Sequence, residues 1–337
     1  MLTPKLDPRG WAHTHRDKLA VQYTTDLGAS VVSTSETILS GLAGQDLREQ
    51  VQLVFTSPPF PLNNKKRYGN KQGEAYKEWL KEFAPLLREV LRPDGSIVVE
   101  VGNAWEPGLP VMSTLAIESL LAFRDAADLY LCQEFIWHNP AKLPTPAQWV
   151  TVERIRVKDS FTRLWWLSPN PKPKADNQRV LVPYSRSMKS LLKNQKYNAG
   201  KRPSEHSIGE SSFLSDNGGA IPPNVIKAEH LPDSVLVGSN TRNNDPYQQY
   251  CKEHGLTPHP ARMPSELAEF FINLCSEEGD LVLDPFAGSN TTGAVAEGLG
   301  RKWISIEANE SYAASGVGRF TGLTRARLTA EIELFQA

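Results

Sequence analysis

Cysteine is scarce in this sequence, with three copies among 337 residues. The three are far apart and no two form a Cys-X-X-Cys pair, so neither a disulfide framework nor a zinc knuckle is indicated. None of them follows a proline, because the preceding residues are Leu131, Tyr250 and Leu274. This usage is typical of a protein in a reducing compartment.

An excess of charge and a long apolar run are also missing. Lys and Arg total 37 against 38 Asp and Glu, which gives a net charge of −1. This balance argues against a uniformly basic coat for nucleic acid, although it allows local basic faces. No window has the apolar length needed to span a bilayer, and Met1–Asp7 contains no apolar signal core. We therefore expect a soluble, cytoplasmic protein.

What the sequence does contain is ample core material. Hydrophobic residues make up 40% and there are eight tryptophans, and the length predicts one large domain with an elaboration. Apolar strands alternate with amphipathic helices, which predicts an α/β fold with a mostly parallel sheet covered on both faces. The predicted strands are 29–32, 51–55, 97–101, 129–137, 162–167, 180–182, 281–283 and 303–306, and the predicted helices are 36–47, 74–91, 113–127 and 265–275.

Several local features complete this description. Residues 1–25 are polar and are expected to form a loosely held arm. Pro85 is expected to interrupt its helix and to kink it, and Arg92–Gly95 is a turn signal. Ser265 is placed to cap the helix that follows it. Residues 184–258 have the least regular pattern, and loops of this length are functional or disordered.

The segment Thr56–Phe60, with the sequence Thr-Ser-Pro-Pro-Phe, ends an apolar strand. Neither proline has a backbone N–H, so neither continues a central ladder. Residues before a proline are driven to extended angles. The result is a stiff turn that presents a hydroxyl, unpaired carbonyls and an aromatic ring together. On this segment alone, a simple strand terminator explains the pattern equally well.

A second motif runs from Leu281 to Gly293, where an apolar strand enters a glycine-containing loop and then a helix. This is the layout of a nucleotide-binding unit, and Glu307 ends the next strand at a distance suited to ribose hydroxyls. The three-glycine dinucleotide pattern and the Gly-Lys-Ser/Thr loop are absent. Asp284 at the start of the loop would repel phosphate but favours a cation, such as the sulfonium of S-adenosylmethionine. A structural turn in another α/β enzyme is the alternative.

Together the two motifs resemble those of the amino-methyltransferases of DNA, and more closely those of the PvuII-type modification methylases. These are beta-group cytosine-N4 methyltransferases of type II restriction–modification systems. The resemblance covers most of the chain. Its segments are 56–60, 65–66, 68–70, 92–96, 142–144, 154–159, 216–219, 221–224, 259–262, 288–293 and 301–305.

The resemblance implies a Rossmann-like, S-adenosylmethionine-dependent methyltransferase fold that is circularly permuted. Its catalytic half would be residues 1–185, its inserted target-recognition region 186–258 and its cofactor half 259–337. It further implies a target-base pocket and a cofactor site. The pocket residues would be Ser57, Pro58, Pro59, Phe60 and Glu100, and the cofactor residues Asp284, Phe286, Ala287, Gly288, Ser289, Asn290, Glu307, His259 and Pro260.

Two positions depart from the family pattern. Ser33-Thr34 stands where such enzymes often carry a Gly-Asp pair near the adenosyl group, and Asn290 replaces the glycine commonest in the wider family.

The chemistry follows from the target. The cytosine amine is a poor nucleophile inside the duplex, so the base must be flipped out. Ser57 Oγ and the Pro58 carbonyl are suited to accept its hydrogens, Phe60 to stack on the base, and Glu100 to take up the proton. No metal and no covalent intermediate are needed.

Three alternatives to this reaction differ in the residues they require. Carbon-5 methylation would require a cysteine, usually after proline, and is disfavoured. Adenine-N6 methylation shares the chemistry, although its enzymes usually open the turn with Asp or Asn rather than serine. A DNA-binding protein without catalysis is the third alternative, and the intact Ser57 and Asp284 motifs argue against it.

Basic residues near the pocket and in the recognition region are candidate contacts to double-stranded DNA. Phosphate contacts would position the enzyme and base-edge contacts would select the site. We expect a monomer whose functional partner is a cognate restriction endonuclease, without a stable complex between them. The candidate contacts are Lys65, Lys66, Arg67, Lys142, Lys201 and Arg202.

Overall fold

The computed structural model describes residues 5–60, 71–195, 200–201, 203, 207–209, 213–227, 231, 245–320 and 333–334. Ten of its strands form one mixed sheet in the order β12-β1-β2-β11-β10-β3-β4-β6-β5-β9, and β7 pairs with β8 separately. The strands are β1 (Ala20–Thr24), β2 (Gly28–Val32), β3 (Val51–Thr56), β4 (Leu91–Gly102), β5 (Tyr130–His138), β6 (Phe161–Ser168), β7 (Gly200–Lys201), β8 (Ser207–Ile208), β9 (Val225–Lys227), β10 (Leu281–Asp284), β11 (Lys302–Glu307) and β12 (Glu333–Leu334).

Helices cover both faces of this sheet, as the sequence predicts. They are α1 (Pro8–His15), α2 (Ser35–Ser40), α3 (Leu42–Gln45), α4 (Gly73–Val90), α5 (Leu115–Ala126), α6 (Arg186–Asn194), α7 (Pro246–Glu253), α8 (Ser265–Cys275), α9 (Thr291–Gly298) and α10 (Glu310–Ser315). Short π and 3₁₀ turns lie at Gln148–Val152, Asn177–Val180 and Gly316–Arg319. Within the described residues, no helix is long and apolar enough to cross a membrane.

The centre of the sheet is parallel, from β2 through β11, β10 and β3 to β4. Successive side chains along a strand face opposite sides, so each strand contributes to two cores. In β11, Ile304 and Ile306 join the core under α1, α4 and α5, whereas Trp303 joins the core under α8 and α9. Parallel strands end at a common edge of the sheet. The residues that follow β3, β4, β10 and β11 therefore lie close together at that edge.

The N-terminal segment is the clearest correction. Residues 1–25 do not form a loosely held arm where they are described, because α1 and β1 occupy most of residues 8–24. Trp11 and Tyr23 are buried, and Trp11 Nε1 donates to the Ala43 carbonyl at 3.0 Å. Burial of these aromatic side chains stabilises the segment despite its polar average.

Four smaller expectations also change. The predicted strand 180–182 is a 3₁₀ turn followed by a single bridge between Val182 and Ala220. Residues 92–95 are not a free turn but an irregularity within β4, between the pairs Val51–Leu91 and Leu53–Ser96.

The other two changes concern helices. Pro85 sits on the exposed face of α4, which continues through it to Val90. Ser265 does not cap α8: Pro264 holds the cap position without a side-chain hydrogen bond, and the Ser265 hydroxyl contacts Glu266.

Candidate active site

The two motifs meet through one side-chain hydrogen bond. Strands β3 and β10 are parallel neighbours, so Thr56 and Asp284 both lie at the carboxyl edge of the sheet. Thr56 Oγ1 donates to Asp284 Oδ1 at 2.8 Å, and both side chains are buried. The segment that follows Thr56 and the loop that follows Asp284 therefore start side by side.

Asp284 organises the loop after β10. Besides Thr56, its carboxylate accepts hydrogen bonds from Thr292 Oγ1 at 2.7 Å and from the Phe286 backbone N–H at 3.1 Å. Burial raises the pKa of Asp284 from 3.8 to about 6, and these hydrogen bonds oppose the shift. The Asp284 carboxylate is thus hydrogen-bonded by groups of the protein itself. These hydrogen bonds connect β3, the loop and the first turn of α9.

The loop passes through two residues in the left-handed region. Gly288 has a φ of +53° and Asn290 a φ of +56°, a region in which glycine and asparagine are tolerated best. Asn290 also caps α9, because its Oδ1 accepts from the Gly293 N–H at 3.1 Å. Its amide donates to Tyr23 OH at 2.7 Å and accepts from Ser305 Oγ at 2.6 Å. Asn290 therefore adopts the left-handed backbone conformation that glycine usually supplies, and its side chain makes three hydrogen bonds.

Glu307 closes the other side of the loop. Its Oε2 accepts from the Gly288 N–H at 2.8 Å and its Oε1 from the Asn309 N–H at 2.8 Å. Burial raises the pKa of Glu307, and hydrogen bonds from these backbone groups oppose the rise. The loop is further tied to β11, where the Ala287 N–H donates to the Ile306 carbonyl at 3.0 Å. Two carboxylates, from Asp284 and Glu307, thus flank one loop.

The segment before α8 packs on this loop. A Cβ added at Gly288 would lie 3.2 Å from the ring of His259. The His259 N–H donates to Tyr247 OH at 2.9 Å, and its ring meets Tyr312 edge-on at 4.6 Å. Burial lowers the pKa of His259, which favours a neutral ring. Pro260 follows on an exposed turn.

Ser289 is held from the opposite side by Arg319. The guanidinium donates to Ser289 Oγ at 3.1 Å, and its carbon lies 4.2 Å from the centre of the Tyr247 ring. Asp245 Oδ2 pairs with the same guanidinium at 3.5 Å. Burial lowers the pKa of Arg319 to about 10, so it stays charged at neutral pH.

An aromatic wall stands beside the loop. The Phe286 ring lies 5.5 Å from Trp79 and 5.1 Å from Phe83, both on α4. Trp79 Nε1 donates to Glu36 Oε1 at 3.0 Å. Helices α2 and α4 therefore contribute to the site, although neither carries a recognised motif.

The Ser-Pro-Pro-Phe turn lies against the end of β4. Glu100 is 7% exposed and its Oε1 accepts from Thr162 Oγ1 at 2.9 Å. Burial raises the pKa of Glu100, opposed by hydrogen bonds from Thr162 and Ser57 and by the charge of Lys142. The Phe60 ring leaves no room at Gly102, where an added Cβ would be 2.4 Å from it. Gly102 is thus required for the ring to lie where it does.

The two prolines differ in exposure. Pro58 is buried and Pro59 is partly exposed, so the turn is anchored by its first proline. The structure brings Ser57, Phe60 and Glu100 together near the end of β4, beside the Asp284 loop.

Lys142 is held by an ion pair and a hydrogen bond. Its Nζ pairs with Asp159 Oδ2 at 2.6 Å and donates to the Phe161 carbonyl at 3.3 Å. Asn103 Nδ2 donates to Asp159 Oδ1 at 3.0 Å. The Lys142–Asp159 pair therefore lies close enough to Glu100 for the charge of Lys142 to favour the ionised carboxylate.

Of the other predicted DNA contacts, the structure describes one. Lys201 lies exposed in β7. The remaining candidates fall outside the described residues, namely Lys65, Lys66, Arg67 and Arg202. Groups of three or more His, Cys, Asp or Glu side chains that could hold a metal ion are not found in the described part of the chain.

Several site residues were not found from the sequence. Thr292, Trp79, Gly102, Thr162 and Arg319 act through tertiary contacts, and only Thr292 lies inside a recognised motif. Gly102 ends a strand after a run of apolar residues. A glycine at such a position indicates that another group approaches the backbone closely, so Gly102 could have been found from the sequence.

A Rossmann-like sheet, with a carboxylate-flanked loop and a Ser-Pro-Pro-Phe pocket side by side at its carboxyl edge, defines the class of methyltransferases that act on amino groups. The family model described as DNA methylase matches residues 51–317. The chain belongs to this DNA methylase family.

Individual relatives support this membership. The chain is 42% identical over 300 residues to the type II methyltransferase M.PvuII of Proteus hauseri, covering 88% of this chain and 85% of that protein. It is 52% identical over 297 residues to the DNA adenine methyltransferase YhdJ of Escherichia coli, covering 85% and 82%. The solved structure of the PvuII DNA methyltransferase (cytosine-N4-specific) matches with a TM-score of 0.67 and 34% identity, over 90% of each chain.

Proposed function

We propose that this protein transfers a methyl group from S-adenosylmethionine to the N4 amine of a cytosine flipped out of double-stranded DNA. The observation that supports this proposal is the hydrogen bond between Thr56 and Asp284, because the proposed base pocket follows Thr56 and the proposed cofactor loop follows Asp284. The similarity to the PvuII methyltransferase, a cytosine-N4-specific enzyme, supports the choice of base.

The loop residues fit the proposed cofactor. Two carboxylates, Asp284 and Glu307, flank the loop, an arrangement suited to a cationic ligand rather than to a phosphate. Phe286, His259 and Ser289 line the same loop. S-adenosylmethionine would supply the electrophilic methyl group. Ala287, Asn290 and Pro260 complete the proposed cofactor site by shaping its backbone.

Ser57 and Glu100 would act on the cytosine amine. The Ser57 hydroxyl contacts the Glu100 carboxylate, so its lone pairs are left to accept an amine hydrogen. A second hydrogen would be accepted by the Pro58 carbonyl, and the stiffness imposed by Pro58 and Pro59 limits the entropy lost in orienting the amine. Phe60 would stack on the base, which contributes roughly 1–3 kcal/mol.

The proton released by the amine needs an acceptor. Glu100 is buried and its raised pKa makes it a better base than an exposed carboxylate. Ser57 would relay the proton to Glu100 through the hydrogen bond between them.

Adenine-N6 methylation is the second candidate, because the chain is 52% identical to a DNA adenine methyltransferase. Serine at the start of the turn favours cytosine, since adenine enzymes usually have Asp or Asn there. Analysis of the methylated nucleoside distinguishes the two.

In the cell, we expect this activity to protect host DNA in the cytoplasm from a cognate endonuclease. The enzyme would work as a monomer, because one strand is modified at a time. The proposed recognition region is residues 186–258, and the proposed DNA contacts are Lys65, Lys66, Arg67, Lys142, Lys201 and Arg202. A short palindrome such as CAGCTG, the target of the PvuII methylase, is a natural first substrate.

The proposal is tested by measuring transfer of labelled methyl groups to duplex DNA by the wild type and Ser57→Ala. Loss of the hydroxyl should lower turnover by roughly 10²-fold or more, while cofactor affinity stays within about twofold, since Ser57 lies on the base side. Ser40→Ala, at an exposed helix end, is the matched control and should be as active as wild type. Full activity in Ser57→Ala would refute the assigned role, and no transfer by the wild type would favour DNA binding without catalysis.

A further inference from the structure

An exposed apolar side chain stands near the pocket in a basic setting. The β5–β6 loop (residues 139–160) includes Val157, which is 87% exposed. Arg156 and Lys158 flank it directly, and Arg154 lies three residues before it. Exposure of so much apolar surface is unfavourable in water, at about 25 cal/mol per Å², unless a partner covers it. The flanking cations match the charge of a phosphate backbone.

Val157 is exposed on a loop that is firmly fastened. Arg156 Nε donates to the Pro110 carbonyl at 3.0 Å, and Lys158 Nζ donates to the Pro140 carbonyl at 2.7 Å. The backbone N–H groups of Ile155 and Arg156 both donate to the Trp149 carbonyl, at 2.9 and 3.1 Å. The loop therefore presents Val157 outward from a defined position.

The loop is tied to the pocket as well. Two residues after Val157, Asp159 pairs with Lys142, whose charge acts on Glu100, and accepts a hydrogen bond from Asn103. Five residues after Val157, Thr162 donates to Glu100. Five residues span at most roughly 17 Å when fully extended, so Val157 lies within about that distance of the residue that contacts Glu100.

We propose that Val157 is a wedge that enters the base stack of duplex DNA and fills the space that the flipped base leaves. Removing a base from the stack leaves an apolar gap between its neighbours, and small apolar side chains inserted between base steps stabilise such a distortion. Arg156 and Lys158 hold the loop while their charges lie close to the phosphates. The inference rests on the proposed function and adds the residue that keeps the target base outside the helix.

The test compares a paired with a mismatched target cytosine, in duplexes built on the site found by sequencing methylated DNA. Flipping a mismatched base requires less unpairing energy than flipping a paired base. Methylation of the mismatched duplex should therefore depend less on a wedge. We expect Val157→Ala to methylate the paired duplex about tenfold more slowly than wild type and the mismatched duplex within about twofold. Val157→Leu, which keeps an apolar side chain, should retain activity on both.

Val152→Ala is the matched control, because Val152 lies in the same loop and is 67% exposed. It should behave as wild type on both duplexes. Equal rates for Val157→Ala and wild type on the paired duplex would overturn the wedge while leaving the proposed function intact. Equal losses on both duplexes, or equal losses in Val152→Ala, would also overturn it, since they indicate a general docking surface. Failure of the wild type to methylate either duplex would overturn the proposed function, and the wedge with it.

Discussion

Thr56 and Asp284 are 228 positions apart in the chain, yet the threonine hydroxyl donates a hydrogen bond of 2.8 Å to the aspartate. This contact joins the turn that would bind the base to the loop that would bind the cofactor. It is buried, so both partners depend on each other for hydrogen bonding.

Thr56→Val should therefore destabilise the protein and weaken cofactor binding. Valine has nearly the same shape, but it leaves one lone pair of a buried carboxylate without its donor, which costs roughly 1–3 kcal/mol. Thermal unfolding and a cofactor titration would measure the two effects.

Thr24→Val is the matched control for that substitution. Within the described residues, Thr24 Oγ1 is buried without a hydrogen-bond partner, so its replacement should be neutral or stabilising. Equal destabilisation by both substitutions would contradict the importance of the Thr56–Asp284 contact.

Asp284 should also make stability depend on pH. Its pKa is raised by burial from 3.8 to about 6, so the folded protein holds this proton more tightly than the unfolded chain. The stability it contributes is fully present below pH 3.8 and is lost as pH rises through about 6, by on the order of 3 kcal/mol. Asp284→Asn should lack this component. Unfolding midpoints of the wild type and Asp284→Asn between pH 4 and 6.5 would show this difference. Parallel curves of unfolding midpoint against pH would argue against a raised pKa of Asp284.

Glu100 should appear in the pH dependence of turnover. As the proton acceptor it must be ionised, and because burial raises its pKa, activity should increase with pH through a range above the ordinary value for glutamate. Glu100→Gln should lower turnover by roughly 10²-fold and remove that rise. An unchanged acidic limb in Glu100→Gln would mean that another group titrates. Glu134→Gln, on a partly exposed stretch of β5, provides a comparison expected to keep the limb.

The sequence predicted the parts of the site that lie in continuous motifs. The strands 51–55 and 281–283, their loops and the acidic end of β11 are confirmed. Asn290 was recognised as a departure from the family, and its φ of +56° explains why asparagine is tolerated where glycine is commoner. The local sequence pattern was sufficient to predict these features because they depend on the backbone conformation of neighbouring residues.

What the sequence did not predict depends on packing between distant segments. The contacts of Glu100 with Thr162, and of Phe286 with Trp79, require the docking of β6 and α4. The N-terminal segment differs from its prediction because an average polarity does not reveal the burial of Trp11 and Tyr23, which decides its structure. The charge of Lys142 predicts a DNA contact, and its pairing with Asp159 could not be read from spacing.

The most direct test of the account is mass spectrometry of the nucleosides from duplex DNA methylated by the purified enzyme with S-adenosylmethionine. The Ser57 turn, set beside the Asp284 loop, predicts N4-methylcytosine as the product. N6-methyladenine as the sole product would contradict the assignment of cytosine while keeping the same fold and donor.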